Sequence, residues 1–177
     1  PSIEILADAV KRRRFGKIVS ATIRLRWCRY QDYYGDNWHG TWAQDGGVIN
    51  QQAIHHVDIL NWMCGPVEAV CAESANRMNT LEAEDTMVSI IKFKSGAHGI
   101  INSSLRLPFV ASLSVHGDLA SCWSEEDGIK FYTQKINEEK RIAISVSPIN
   151  GVVENLKNFC DCVRNSKRPE TSGDEGA

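Results

Sequence analysis

The sequence predicts an α+β fold in which helices cover one face of a largely antiparallel, open β-sheet. Two observations lead to this class. Helical spacing of apolar residues is confined to three segments, and short alternating strands fill most of the remaining chain. The length of 177 residues suits one domain with its own core, so residues 1–177 are expected to form a single domain.

Composition excludes several classes of protein. The chain is 42% hydrophobic and 24% charged with a net charge of −2, which is typical of a soluble globular domain. Near-neutral charge gives no basic surface for nucleic acid. No apolar run approaches the roughly 18 residues that span a bilayer, and the N-terminal stretch does not resemble a signal peptide. We therefore expect a cytoplasmic protein without nucleic-acid or membrane partners.

The first elements follow from periodicity. Apolar residues at helical spacing predict a helix over residues 3–10, with Gly16 ending it after a basic last turn. The alternating stretch KIVSATIRLRW predicts a half-buried strand over 17–27. A polar, aromatic loop is expected over 28–46, followed by a helix from Gly47 to Cys64 that Gly65 and Pro66 close.

The rest of the chain reads as strands and one late helix. Strands are expected at 67–75, 85–95, 97–107, 111–117, 120–125 and 128–134, with a tight hairpin at Lys94–Ala97. Helical spacing returns over 152–163, and a polar tail follows in which Asp174 and Glu175 suit the start of another helix. With no initiator methionine, the chain is expected to be part of a longer protein, truncated at both ends.

The cysteines show no metal-binding pattern. None is spaced as in zinc sites, and we expect buried, reduced thiols. The six are Cys28, Cys64, Cys71, Cys122, Cys160 and Cys162.

The helix from Gly47 to Cys64 carries an unusual set of proton-sharing side chains. Helical geometry places Gln51, His55, Asp58 and Trp62 along one side, opposite an apolar side that contains Val57. A carboxylate on the same face can fix the tautomer of His55 and raise its basicity, which suits proton transfer. His56 lies about 100° around the helix, nearer the apolar side.

The same pattern has less specific interpretations. Any surface helix has one apolar and one polar side, so the pattern alone leaves catalysis open. A metal site could use His39, His55, His56 and Asp58, but adjacent histidines face different directions, so no metal is expected. The aromatic loop before the helix either binds a ligand or folds back on the sheet. Its aromatic residues are Tyr30, Tyr33, Tyr34, Trp38 and Trp42.

Several stretches, in order, resemble the Gfo/Idh/MocA oxidoreductases. The helix segment GGVINQQAIHHVDILNWMCGPV is similar to that family's signature, and FGKIVSATIRLRW resembles the first strand of its second domain. EAEDTMVSIIKFKSGAHGII, LSVHGDLAS and FCDCVRNSKRPETSGDEG resemble later segments, so the resemblance covers nearly the whole chain. It implies a fold like the C-terminal domain of glyceraldehyde-3-phosphate dehydrogenase.

The resemblance also implies a function. The chain has no Gly-rich phosphate loop, so it resembles only the substrate-binding and oligomerisation domain, without the Rossmann domain. NAD or NADP would be bound mainly outside this chain, with Gln51 the one candidate for a cofactor contact. The isolated chain is expected to be inactive, whereas the full-length protein would be a dehydrogenase acting on CH–OH groups. Homodimers or homotetramers would form through the sheet face.

Individual residues follow from the resemblance as well. His55 matches the catalytic histidine, while Gln51 stands where the family often has aspartate, so no carboxylate can relay a proton there. The loop most resembles a subgroup that oxidises sugar nucleotides, which points to a UDP-N-acetylhexosamine or uronate substrate oxidised at a ring hydroxyl. Candidate substrate-binding residues are Gln51, Gln52, Asp58, Arg24, Arg26, Trp38 and Trp42.

Two alternatives remain. The glutamine at position 51 allows a non-catalytic relative whose domain serves assembly or ligand sensing. An unrelated α+β binding module would require the ordered string of motif matches to be chance.

Overall fold

The computed structural model describes residues 2–77, 80–125, 128–135, 138–144 and 150–169. Three α-helices lie within these ranges, α1 at Ser2–Lys11, α2 at Ile54–Cys64 and α3 at Gly151–Asn165. A short 3-10 helix spans Gln31–Tyr34, and a π-helix spans Ile49–Ala53. The strands are β1 Ile18–Arg26, β2 Val67–Ala75, β3 Thr86–Phe93, β4 His98–Ser104, β5 Val110–Gly117, β6 Ala120–Glu125, β7 Gly128–Lys135 and β8 Glu138–Ile144.

Within the described ranges, eight strands form one open sheet in the order β2-β3-β4-β1-β5-β6-β7-β8. The central pair, β1 with β4, is parallel, with Ile23 opposite Ile101. The other neighbouring pairs among these strands are antiparallel. The predicted α+β class with a largely antiparallel open sheet is therefore confirmed.

The two faces of the sheet differ because successive side chains of a strand point to opposite sides. On one face Ile23, Ile101 and Leu113 are buried, and the cleft between this face and the first helical turns includes Ile49 and Val57. α1 and α2 line a common cleft through Ala7, Val10 and Trp62, so both helices lie on that side. The opposite face, here called the open face, exposes Val88, Ile90 and Ile100.

The first helix covers the predicted residues 3–10, but it ends before Gly16, the residue predicted to end it. α1 ends at Lys11, five residues before Gly16. Arg13 already has a left-handed backbone with φ of 54°, which breaks the helix, and Gly16 reverses the chain again with φ of 68°. The apolar residues behind the prediction still form the less exposed side, because Leu6 is buried and Ile3, Ala9 and Val10 are partly buried.

α3 belongs to a second compact unit, separate from the unit Ser2–Ser145. The Asn150 side chain caps it by accepting the Val153 N–H at 3.3 Å, and Ser166 ends it with φ of 51°. The expectation of a single domain over 1–177 stays a prediction, and the expected helix start at Asp174–Glu175 lies outside the described residues.

Two details differ from the sequence analysis. β8 was not predicted, because its EEKRIAI sequence is charged in its first half and does not alternate. Cys71 and Cys160 are exposed and not buried, because Cys71 lies in edge strand β2 and Cys160 on a solvent-facing side of α3. Burial raises the pKa of Cys64 to about 11 and that of Cys122 to about 12.

No described helix is long and apolar enough to cross a membrane.

Candidate active site

The helical segment at the site begins against a buried carboxylate. Glu84, only 9% exposed, lies two residues before the start of β3 and reaches the turn at Gly47. Its carbonyl accepts the Val48 N–H at 3.0 Å, and its carboxylate accepts the Ile49 N–H at 3.3 Å. A side chain at Gly47 would collide with this carboxylate. Glu84 therefore satisfies amides that a helix N-terminus leaves free, which fixes where the segment starts.

The predicted helix 47–64 is not one continuous α-helix. Ile49–Ala53 winds as a π-helix, and the α-helix proper runs from Ile54 to Cys64. A π-helix bonds residue i to i+5, so the first turn is wider than the uniform 100° spacing assumed from sequence. Gly65, with φ of 85°, ends α2, as predicted, and its N–H bonds the Asn61 carbonyl at 2.8 Å.

The two sides of this segment differ in solvent exposure, as the sequence pattern indicated. Ala53 and Leu60 are buried, whereas His55, Asp58 and Trp62 are exposed. Among the described residues, His55 makes no side-chain hydrogen bond, so its imidazole is open to solvent on the exposed side.

His56 lies in a different environment from its neighbour. It is partly buried, and burial lowers its pKa below the ordinary value of 6.5, with nearby His55 adding to the shift. The nearby Gln52 backbone opposes this lowering of the His56 pKa. Nδ1 of His56 is buried without a partner among the described residues. His56 is therefore held neutral near pH 7, in a position that limits its access to a ligand.

Gln51 is held on one side by the preceding loop. Its Nε2 donates to Asp45 Oδ2 at 2.6 Å and faces the Tyr33 hydroxyl at 3.5 Å. The same Asp45 oxygen accepts the Gly40 N–H at 2.9 Å. Gln51 Oε1 is shielded from solvent and has no partner within the described part of the chain. Gln52, next along the π-helix, is half-buried.

Aromatic rings and charged groups of the loop pack around Tyr33. The Tyr33 ring lies 4.2 Å from the His39 ring and 5.1 Å from the Arg29 guanidinium carbon. Trp38 covers His39 with ring centroids 3.5 Å apart. His39 Nδ1 lies 2.6 Å from Asp36 Oδ2, which orients the imidazole. We call Arg29, Tyr33, Trp38, His39 and Asp45 the loop cluster.

The loop aromatics divide into one that is buried and others that are partly or fully exposed, so their expected role in ligand binding stays a prediction. Tyr34 is buried, and burial raises its pKa. Tyr30 and Trp42 are exposed at 64% and 59%. Trp42 lies at a cleft of about 410 Å³ between the π-helix and β2–β4, where Val57, Val70 and Met87 form part of an apolar wall.

The two candidate arginines lie elsewhere. Arg24 points to the open face, where its Nε donates to Ser112 Oγ at 3.3 Å, whereas Gln51 and His55 lie on the helix side. Arg26, two residues along β1, shares the orientation of Arg24 and is half-buried. Within one chain the structure brings neither arginine together with His55.

Sequence reasoning did not identify Arg29, which lies beside the Tyr33 ring, or Asp45, which binds Gln51, as residues of the site. The signal available for Asp45 was its place just before the Gly46–Gly47 turn, six residues ahead of Gln51. The described residues contain no group of three or more His, Cys, Asp or Glu side chains placed to hold a metal ion.

Comparison with known proteins places this arrangement in a family. Residues 3–122 match the model of the GFO/IDH/MocA C-terminal domain. The chain is 32% identical to the WlbA dehydrogenase from Bordetella pertussis, solved with NADH and UDP-GlcNAcA. That match has a TM-score of 0.80 and covers 99% of this chain and 52% of the other.

Two further structures are informative. The WlbA dehydrogenase from Chromobacterium violaceum, also solved with NADH and UDP-GlcNAcA, is 31% identical with a TM-score of 0.79, over 99% of this chain and 53% of that one. Levoglucosan dehydrogenase in its apo form shares the fold, with a TM-score of 0.81 at 14% identity, over 99% of this chain and 58% of that one. The chain thus spans about half the length of these structures. It belongs to the GFO/IDH/MocA family and contains that family's C-terminal domain.

Proposed function

We propose that this domain binds the substrate in an NAD(P)-dependent oxidoreductase that oxidises a ring hydroxyl of a sugar nucleotide. The observation that carries the proposal is the 32% identity, over 99% of the chain, to a dehydrogenase solved with NADH and UDP-GlcNAcA. The exposed His55, one turn beyond the tethered Gln51, supplies a base on the same helical segment. A UDP-linked N-acetylhexosamine or its uronate is the substrate class this supports best.

The residues of this chain offer the nicotinamide cofactor a contact only at its periphery and do not form a complete cofactor site. A helix N-terminus commonly holds the pyrophosphate of a dinucleotide. Here the N–H groups of Val48 and Ile49 are already bonded to Glu84. These two N–H groups are therefore not free to hold dinucleotide phosphates, and we propose that another domain holds them, with Gln51 the candidate in this chain for a contact with the cofactor.

The oxidised nicotinamide cofactor, when bound, would supply the hydride acceptor for the carbon that carries the hydroxyl. His55 takes the proton from that hydroxyl, so the C–OH group becomes a carbonyl. Gln51 orients the sugar through its amide but cannot relay the proton, because a glutamine side chain does not ionise at neutral pH. The proton therefore leaves His55 directly to water, which its exposed position permits.

The test is a substrate panel with the full-length enzyme and NAD⁺ or NADP⁺. UDP-linked N-acetylhexosamines, their uronates, the corresponding UDP-hexoses and the free sugars would be compared by absorbance of the reduced cofactor. We expect turnover of at least one UDP-linked N-acetylated sugar and none of the free sugars. Turnover of free sugars alone would contradict the proposed substrate class.

One observation favours a second function. By the resemblance, Gln51 stands where the family often has aspartate, so a domain that senses a sugar nucleotide without oxidising it is the second candidate. Calorimetric binding of a panel member with no reduction of either cofactor would support sensing and contradict the dehydrogenase assignment.

A further inference from the structure

The open face carries a polar pocket of about 250 Å³ where β1, β5 and β6 lie side by side. Arg24 of β1 lies opposite Ser112 of β5. One step along the same pair, Thr22 lies opposite Ser114, and Ser114 lies opposite Trp123 of β6. Directly opposed residues of an antiparallel pair share one face of a sheet, and all five of these residues line the pocket.

Arg24 places an accessible cation in this pocket. Its side chain is exposed, and its Nε donates to Ser112 Oγ at 3.3 Å. Within the described ranges this is its one side-chain hydrogen bond, so the two terminal nitrogens of the guanidinium are open to a ligand. A guanidinium holds its donors in a planar fork that matches the paired oxygens of a carboxylate or a phosphoryl group.

Trp123 gives the pocket a fixed aromatic wall. Its ring packs edge-to-face with two others, His116 at 4.9 Å and Tyr132 at 4.8 Å between ring centroids. His116 is oriented in turn by a contact of 3.0 Å between its Nδ1 and Ser121 Oγ. A wall held in place by its neighbours loses little freedom when a ligand packs against it, which favours binding.

We infer that this pocket binds the oxyanion group of a small organic acid, a carboxylate or a phosphoryl group, at a site separate from His55. Arg24 pairs with the oxyanion, the hydroxyls of Thr22 and Ser114 donate to it, and the organic part of the ligand packs against Trp123. The inference does not depend on the proposed function, because the pocket lies on the face of the sheet opposite the helical segment that carries His55.

The composition of the pocket favours a small anion over a second copy of the chain. Its described lining residues include one cation and no carboxylate, so a second copy that used the same surface would bring no counter-ion to Arg24. The exposed apolar residues of the open face, Val88, Ile90 and Ile100, lie in β3 and β4 and outside the pocket.

The experiment measures calorimetric binding of three probes to the full-length enzyme, at low salt and in a buffer free of carboxylate and phosphate. Benzoate and phenyl phosphate distinguish the two kinds of oxyanion, and benzyl alcohol is a neutral probe of similar size. The test variants are Arg24→Gln and Ser112→Ala. Arg14→Gln is the matched control, because Arg14 is an exposed arginine outside the pocket and its loss changes the net charge equally.

We expect the unchanged enzyme and Arg14→Gln to bind at least one of the two oxyanions with equal affinity, and to bind benzyl alcohol more weakly. Loss of the charged donors should weaken oxyanion binding about 10- to 100-fold in Arg24→Gln. Loss of one neutral hydroxyl should weaken it about 2- to 10-fold in Ser112→Ala. Thermal melts establish that each variant is folded, and Ser112→Ala decides the question if Arg24→Gln is not.

Three results would overturn the inference. The first is that the unchanged enzyme binds neither oxyanion. The second is that the folded test variants bind both oxyanions as tightly as the unchanged enzyme does. The third is that a monomeric Ile90→Lys variant binds an oxyanion and the unchanged enzyme does not, because a second copy would then cover the pocket in the assembled protein.

Discussion

At the scale of single residues, burial separates two adjacent histidines that have the same chemistry. His55 is exposed on the side it shares with Asp58, and His56 is partly buried with a lowered pKa. Helical geometry alone predicted this difference, because an offset of about 100° turns one of two neighbours toward the core. The tether of Gln51 to Asp45 was not predictable, because it depends on the path of an irregular loop.

His56 should make stability depend on pH. Burial lowers its pKa in the folded state, so below about pH 6.5 the unfolded chain binds more protons than the folded one. Stability is then full above the unfolded pKa and falls as pH falls through the folded pKa. The loss is about 1.4 kcal/mol for each pKa unit that separates the two states. His116, which is also partly buried with a lowered pKa, adds to the effect.

Urea unfolding between pH 8 and pH 5 checks this, with His56→Gln as the test variant and His98→Gln, an exposed histidine, as the control. The slope of stability against pH should decrease in His56→Gln and not in His98→Gln. An identical slope of stability against pH in all three proteins would contradict the assignment of this pH dependence to His56.

At the scale of elements, local pattern gave the position of each helix but not its fine geometry. The helix at 47–64 was predicted as one α-helix, yet its first turn is a π-helix. The start of the segment is set by a long-range contact, because Glu84, 35 residues from Ile49, accepts the Ile49 N–H. Element boundaries set by such contacts cannot be read from periodicity, which reports only which side of a segment is apolar.

The Gly47→Ala substitution tests the buried start of this segment. The new methyl group would collide with the Glu84 carboxylate, which is buried and bonded to the Ile49 amide and so cannot move away without losing that contact. Overpacking of this kind costs about 1–3 kcal/mol, or several degrees in Tm. Gly35→Ala is the control, since Gly35 is exposed and has an ordinary φ of −81°. Equal Tm values for Gly47→Ala and Gly35→Ala would show that the start is not tightly packed.

At the scale of the whole molecule, the alternating strands predicted an open sheet with one covered face, and that prediction is confirmed. The strand order was beyond the sequence pattern, because β1 pairs in parallel with β4, a strand about 80 residues later. Nothing in the alternation of β1 specifies that partner, whereas the antiparallel pair β3–β4 follows from the hairpin at Lys94–Ala97. The alternation also does not show which sheet face meets the site, so Arg24 and Arg26 could not be placed relative to it from the sequence.

The open face should mediate self-association. Val88, Ile90 and Ile100 are 43%, 56% and 42% exposed, and Ile90 lies directly opposite Ile100 across β3 and β4. Such an apolar patch on an uncovered sheet face is typical of an interface. Sedimentation should show dimers or larger species at micromolar concentration, which Ile90→Lys shifts toward monomer. Val70→Lys, an exposed change on the other face of edge strand β2, should leave them intact, and a fully monomeric unchanged protein would contradict the prediction.

The central claim is that His55 is the base of a dehydrogenase, and turnover of His55→Ala against His56→Ala tests it most directly. Both variants of the full-length enzyme would be assayed at saturating cofactor, after thermal melts establish that each is folded. Loss of a positioned base should lower kcat about 10²–10⁴-fold in His55→Ala, whereas His56→Ala should act mainly through stability. Equal modest losses in the two variants, or a larger loss in His56→Ala, would contradict the account.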